Sequence, residues 1–409
     1  MRAIWLAAAV CGALCGQTLR IAPERVLIDE TAVIRAAGLQ ADERVTIRSS
    51  LTDGADVRWS AQAEFVADAE GTVDVSRQAP VGGSYKEVSA MGLIWFMMPV
   101  AKGASAYAAP RNLAAQTVEF ELVVNGKKIA AAQLVQDAVA QGVRRIPVSD
   151  GTLRGILFVP AGEGRHPGVL VVGGSNGGAP TRQAAWLASR GFTALALAYF
   201  HYEDLPPMLE AIPLEYFQRG LAWLVRRPEV SGERLAVMGT SRGGELALQL
   251  GSMFPVVGAV VAYVPANVRY RACCGNTSVA YAWTWGGRAL PYATPRLGVN
   301  PAAAIEVERT HGPVLMISGQ NDGVWHSSEM AELVMSRLKH AHFEHSSENL
   351  RYAHAGHAAG RPDIRPAWHE STRHPISGRL NDMGGSAKGD AESSMDAMPK
   401  VLEFLRRGW

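Results

Sequence analysis

From about residue 141 onward, uninterrupted apolar runs alternate with stretches of helical period, and few folds accept that alternation. The run Gly168-Val169-Leu170-Val171-Val172-Gly173 has no polar member, as a strand buried on both faces of a sheet requires. Comparable runs at 192–198, 235–238, 256–263 and 313–317 read as further strands. Segments 182–190, 214–227, 329–339 and 398–407 carry helical periodicity, and Gly191 closes the first of them. Repeated strand–helix units imply a mostly parallel sheet with helices on both faces.

Earlier residues follow another grammar. The runs at 32–36, 44–48 and 118–124 are short or alternating, and the last reaches Asn125-Gly126, a strong hairpin turn leading into Lys128-Ile129-Ala130. Short strands at this spacing, with no convincing helix, predict a β-sandwich. The chain has 409 residues, 48% of them hydrophobic, enough for two cores. We therefore expect a sandwich over 17–138 and an α/β domain over 139–409. The Gly/Ser/Asp-rich stretch 381–394 is the one low-complexity segment.

Residues 1–16 carry one positive charge, an apolar run and then small residues. That is a signal-peptide pattern, too short for a membrane span of about 20 apolar residues, and it predicts export to the periplasm or beyond; otherwise the protein is cytoplasmic. Leu14 before Cys15 is too bulky for a lipoprotein signal. Removing the leader leaves two of the four cysteines, Cys273 and Cys274, which rules out a stapled scaffold. As adjacent residues they would pair in a strained ring, so two free thiols are expected. The 40 basic and 38 acidic side chains nearly cancel without a long basic block, which does not suggest nucleic-acid binding. Nothing in the sequence sets the oligomeric state.

Gly-x-Ser-x-Gly can place a serine on a tight strand-to-helix turn with its hydroxyl exposed. It occurs twice, as Gly173-Gly174-Ser175-Asn176-Gly177 and Gly239-Thr240-Ser241-Arg242-Gly243. Ser241 follows a strand inside the repeating units and precedes residues of good helix propensity, so it is the expected nucleophile. Ser175 follows an early strand, where an α/β-hydrolase keeps the loop that donates a backbone N–H to the oxyanion. Backbone N–H groups of Arg242, Gly174 and Ser175 are the candidate oxyanion donors.

On that fold the acid and histidine follow the serine in order. Asp322 is the only aspartate between Ser241 and His357, and it lies just past the strand ending at Ile317; the other role open to it is an Asx turn. His357, in Ala355-Gly356-His357-Ala358, is the expected base, with His354 its main rival. His342 and His345 are expected in the strand and turn after His340. Those three could begin a metal site, but no further ligand has convincing spacing. No cofactor is expected. The chemistry is acyl transfer through a covalent ester on a small thioester or ester substrate.

With these residues in place the chain resembles the acyl-CoA thioesterase and bile acid-CoA:amino acid N-acyltransferase family. The resemblance lies in Leu195-Ala196-Leu197-Ala198-Tyr199-Phe200, in Tyr202-Glu203-Asp204-Leu205-Pro206 and in Leu214-Glu215-Tyr216-Phe217. It extends through 239–246, Gly319-Gln320-Asn321-Asp322 with Trp325, Ala355-Gly356-His357 and Gly384-Gly385-Ser386-Ala387-Lys388, and at the N-terminal end through 91–97. It implies a sandwich ahead of a catalytic α/β-hydrolase domain, cleavage of acyl-CoA thioesters, and a triad of Ser241, Asp322 and His357. Members that transfer to amino acids look to use cysteine as nucleophile, so serine here implies hydrolysis. Asn321 stands where the family's thioesterases look to carry a second acid, and the aromatic stretch 281–287 has no counterpart. Export would imply an ester, lactone or amide substrate instead, and a non-catalytic binding protein is the remaining reading.

Overall fold

The structure is a computed structural model that describes residues 16–101, 103, 106–294 and 300–409. Most of the leader, with Cys11 and Cys15, lies outside them. The first part is two antiparallel-rich sheets. Thr18–Ala22, Val33–Ala37 and Thr72–Asp74 form one; Lys127–Asp137, Gln116–Val124, Arg44–Thr52 and Arg58–Val66 form the body of the other. Strict alternation sets which side faces in. In Arg44–Thr52, Val45, Ile47, Ser49 and Leu51 are buried while Arg44, Arg48 and Thr52 are exposed. The hairpin read at Asn125-Gly126 forms, and both residues take positive φ, 50° and 77°, as its two-residue turn requires. One feature escaped the sequence: a single helical turn, Gly92–Trp95, with all four residues buried. One turn is too short to show a period, and complete burial removes the polar face that would mark it.

The second part is one eight-stranded sheet. Its strands are β1 (Arg144–Asp150), β2 (Leu153–Val159), β3 (His166–Val172), β4 (Thr193–Ala198), β5 (Val230–Thr240), β6 (Val257–Tyr263), β7 (Val314–Gly319) and β8 (Ser347–Tyr352). Their order is β1-β2-β4-β3-β5-β6-β7-β8, and only β2 runs against the rest. Every residue of β4, β6 and β7 is buried, which accounts for their unbroken apolar sequences. The helices are α1 (Thr181–Ser189), α2 (Leu214–Val225), α3 (Arg242–Met253), α4 (Ser327–His340) and α5 (Ala387–Arg406). This is the α/β-hydrolase architecture expected.

Two cores flank the sheet. Leu221, Leu246 and Val334, from α2, α3 and α4, pack on one face. Trp186 of α1 and Val401 of α5 pack on the other, in a cluster that runs on into Ile34, Ile47, Trp59 and Phe120 of the sandwich. The sandwich therefore covers the α1/α5 face. A buried ion pair fastens it: Asp29 accepts from Trp186 Nε1 at 2.7 Å and from Arg190 Nε at 2.7 Å, with a second bond from Arg190. The Asp29 side chain is only 5% exposed, so its loss would leave the Trp186 indole N–H without its acceptor and the Arg190 guanidinium with Glu30, 3.0 Å away, as its remaining carboxylate. Asp29→Ala should lower unfolding free energy by about 2–3 kcal/mol; an unchanged urea midpoint would show that the contact is incidental.

Two readings need correction. The last helix begins at Ala387 and not near residue 398, because Ser386 caps it by accepting from Gly389 N at 3.0 Å. Pro399 sits inside that helix, where packing of Ala397, Met398, Val401 and Leu405 outweighs its missing donor. His342 and His345 lie in the turn between α4 and β8, not on the strand. His342 has φ 51°, which ends the helix and forbids a strand there.

Candidate active site

Chain order and sheet order disagree at β3. The chain passes from β3 out to β4, then returns across it to β5, so adjacent strands β3 and β5 lead to helices α1 and α3 on opposite faces. A crevice opens at their carboxyl ends, the usual binding position in an open α/β sheet. Both Gly-x-Ser-x-Gly segments lie there.

Ser241 joins β5 to α3 with φ 59° and ψ −119°, a conformation that a side chain adopts only under constraint. The glycines around it are a steric requirement. A Cβ on Gly239 would fall 1.9 Å from Gly243 O, and one on Gly243 would fall 2.5 Å from Val172 O and Gly173 O. The turn is held by Ser241 N donating to Tyr263 O at 2.9 Å and Glu245 N to Ser241 O at 3.0 Å.

Three side chains from separate loops meet here. His357 Nε2 lies 2.9 Å from Ser241 Oγ, and its Nδ1 lies 2.8 and 3.0 Å from the two oxygens of Asp322. Facing a carboxylate, Nδ1 carries the ring proton, which leaves the Nε2 lone pair toward the hydroxyl. Asp322 Oδ1 also accepts from Val324 N and Trp325 N, so it holds its own turn as well as the imidazole. The aspartate thus forms the Asx turn considered for it and also contacts the imidazole. The His357 loop is held in turn, with His357 N donating to Met383 O and Gly356 N to Asp390 Oδ1, each at 2.8 Å. His354 is exposed and only its carbonyl is used, accepting from Ser386.

Of the expected oxyanion donors, Gly174 lies against Ser241: a Cβ there would be 2.9 Å from Thr240 O and 3.3 Å from Ser241 Cβ. Ser175 follows on the same loop, and Arg242 opens α3, where backbone N–H groups have no partner within the helix. The Arg242 side chain donates to Arg271 O at 2.9 Å and to Tyr270 O at 3.0 Å. Its Nε is 3.1 Å from Glu245 Oε2, and Trp283 Nε1 donates to Glu245 Oε1 at 2.7 Å. Burial pushes the Glu245 carboxyl up, opposed by Arg242 and by the Trp283 bond.

This buried group was not foreseen. Trp283, from the aromatic stretch with no expected counterpart, supplies one of its donors. The stretch itself forms a short strand, Trp283–Trp285, beside Ile212–Pro213. Trp325 stacks on Tyr270 at 5.4 Å and meets His357 edge-on at 5.6 Å, giving the site an aromatic wall.

The expectation of free thiols fails. Cys273 and Cys274 are joined by a disulfide, and the positive φ of Cys274, 79°, gives the pair a turn that an extended chain would not. Among the described residues, no three His, Cys, Asp or Glu side chains converge as a metal site.

Comparison with known proteins places the chain in a family. Residues 29–150 match the acyl-CoA thioester hydrolase/BAAT N-terminal region, and residues 212–279 and 290–408 match the BAAT/acyl-CoA thioester hydrolase C-terminal region. The chain belongs to the acyl-CoA thioester hydrolase/BAAT family. It is 30% identical to acyl-coenzyme A thioesterase 6 of Mus musculus over 425 residues, covering 95% of this chain and 96% of that one. It is 29% identical to the peroxisomal succinyl-coenzyme A thioesterase of Mus musculus, again across 95% and 96%. A third relative, the mitochondrial acyl-coenzyme A thioesterase 2 of Mus musculus, is 30% identical across 95% and 89%.

Within this acyl-CoA thioester hydrolase/BAAT chain, Asn321 acts through its backbone. Its N–H donates to Ala355 O at 3.1 Å, and its carbonyl accepts from Gly385 N at 2.9 Å, tying the Asp322 loop to the His357 loop. Gly384 must be glycine for this, since a Cβ there would fall 1.9 Å from Asn321 O.

Proposed function

We propose that this protein hydrolyses acyl-CoA thioesters through an acyl-enzyme formed on Ser241. The observation that carries the reading is the continuous path from Ser241 Oγ through His357 to Asp322, with spacings of 2.9 and 2.8 Å, in a chain of this family. His357 Nε2 takes the hydroxyl proton as Oγ attacks the thioester carbonyl. Asp322 keeps the imidazole in the required tautomer and stabilises the imidazolium. Backbone N–H groups of Arg242 and of the Gly174–Ser175 loop receive the oxyanion, where one donor is worth about 3 kcal/mol of barrier. Collapse expels the thiolate of CoA, which leaves as the thiol with the proton from His357. Water, deprotonated by the same imidazole, then releases the free acid. A serine ester is open to water, and the serine nucleophile favours hydrolysis over transfer to an amino acid.

A second reading, an exported carboxylesterase or lactonase, is favoured by the signal-like pattern of residues 1–16. Among the described residues no helix is long and apolar enough to cross a membrane. One experiment separates the readings: acyl-CoA and the matched oxygen ester are supplied to the purified enzyme, and kcat/KM is compared. We expect a clear preference for the thioester. Preference for the ester, with the enzyme fractionating outside the cytoplasm of its host, would reverse the assignment.

A further inference from the structure

His374 lies outside every motif in the sequence, yet the fold brings it to the crevice. It is 8% exposed, in the turn of a small hairpin whose strands are Thr372–Arg373 and Leu380–Asn381. The turn is closed by His374 N donating to Arg379 O at 2.8 Å and Gly378 N to His374 O at 2.9 Å. Two backbone N–H groups, from Ile376 and Ser377, point at the ring Nδ1 from 3.3 and 3.2 Å. A nitrogen that accepts from N–H groups carries no proton, so the neutral ring bears its hydrogen on Nε2. That Nε2 lies 3.2 Å from the hydroxyl of Ser175, 199 residues away in sequence. Burial holds the imidazole below its ordinary range, with the Ser175 backbone working the other way and His201 the nearby titratable group adding to the fall. The neutral, single-tautomer ring that the geometry requires is thus also the one that its surroundings favour.

Ser175 follows Gly174, which touches the nucleophile turn, so whatever fixes Ser175 fixes the loop that faces Ser241. The loop has two other described anchors. Tyr199 OH donates to Gly173 O at 2.7 Å, and Gly178 N donates to Phe200 O at 3.1 Å. Both lie at the loop's ends; its middle, Ser175 and Asn176, is spanned by the loop's own turn bond, Gly177 N to Gly174 O at 3.3 Å, which ties it to no other element. The segment carrying His374 continues to Met383, whose carbonyl accepts from His357 N at 2.8 Å. One stretch of chain therefore reaches both the base and the glycine loop.

We propose that His374 is a positioning residue. Its Nε2–H, donated to Ser175 Oγ, pins the middle of the 173–178 loop so that the Gly174 and Ser175 N–H groups stay aligned on the oxyanion. The Ser175 hydroxyl, accepting from His374, keeps its own proton free for the site. This rests on the reading of Ser241 as nucleophile.

The test compares wild type, His374→Ala, His374→Gln, Ser175→Ala and the double variant Ser175→Ala/His374→Ala. Each is assayed for thermal unfolding, for kcat and KM on one acyl-CoA, and for the rate of Ser241 labelling by a fluorophosphonate. The labelling rate probes the oxyanion site whatever acyl substrate the enzyme prefers. We expect His374→Ala to lower kcat and the labelling rate about 10- to 50-fold with KM within about twofold, the range for a misaligned donor group. Glutamine, which can place an amide N–H in the same direction, should recover part of the loss. The double variant should be no slower than the slower single one, because both changes remove one interaction. Unchanged labelling in a folded His374→Ala, or independent multiplying effects in the double variant, would overturn the role of His374 alone. If His374→Ala fails to fold, His374→Gln and Ser175→Ala carry the same comparison. Wild-type enzyme that resists labelling at Ser241 would instead bring down the nucleophile reading, and this inference with it.

Discussion

Ser241→Ala is expected to reduce kcat on acyl-CoA by about 10⁵- to 10⁶-fold, the largest functional effect of any single change. The hydroxyl alone can form the covalent ester, and without it the imidazole at 2.9 Å has no proton to take. KM should change little, because Oγ contributes little to holding the bound substrate. Stability should hold too, since alanine keeps the same strained backbone at φ 59°. Asp322→Asn offers the companion test. An amide presents N–H or O to Nδ1 indifferently, so the ring can settle with its hydrogen on Nε2, and a loss of about 10⁴-fold is expected. Thiol release followed with a chromogenic disulfide measures both. Activity of Ser241→Ala within tenfold of wild type would remove the serine from the mechanism.

The largest effect on stability should come from Glu245, one turn into α3 behind Ser241. Its side chain is 0% exposed and faces the buried Arg242 guanidinium and the Trp283 N–H. Glu245→Ala would leave a cation without its counter-charge and a donor without its acceptor, at a cost of about 3–5 kcal/mol. Glu245→Gln should cost less, because its amide oxygen can still accept from Trp283. Urea unfolding checks both; equal midpoints for wild type and Glu245→Ala would mean that the group is solvated after all. Catalysis should weaken as well. Arg242 is held by carbonyls of Tyr270 and Arg271, and its own backbone N–H is a proposed oxyanion donor.

The residues that could be read in advance have a common property. Ser241, Asp322 and His357 stand at strand ends, where a glycine pattern or an order rule marks them. Strands β4, β6 and β7, and residues 168–172 of β3, were legible because full burial leaves no room for polar residues. The early start of α5 was hidden, since its first turns are written in glycine, serine and aspartate and depend on the Ser386 cap. Trp283 and His374 were hidden for another reason: each matters through a partner far along the chain, Glu245 and Ser175, and no local spacing records the pairing.

What the sequence determined by itself is therefore the alternation of strands and helices, the turn at Ser241 and the chain order of Ser241, Asp322 and His357, because sterics and burial act on neighbouring residues. Only the tertiary structure decided that the Arg242–Glu245 pair, three residues apart on α3, would be buried against Trp283, and that a histidine in a distal hairpin would meet Ser175. Those outcomes depend on which surfaces the fold presses together, and the free energy of such contacts belongs to the packed whole.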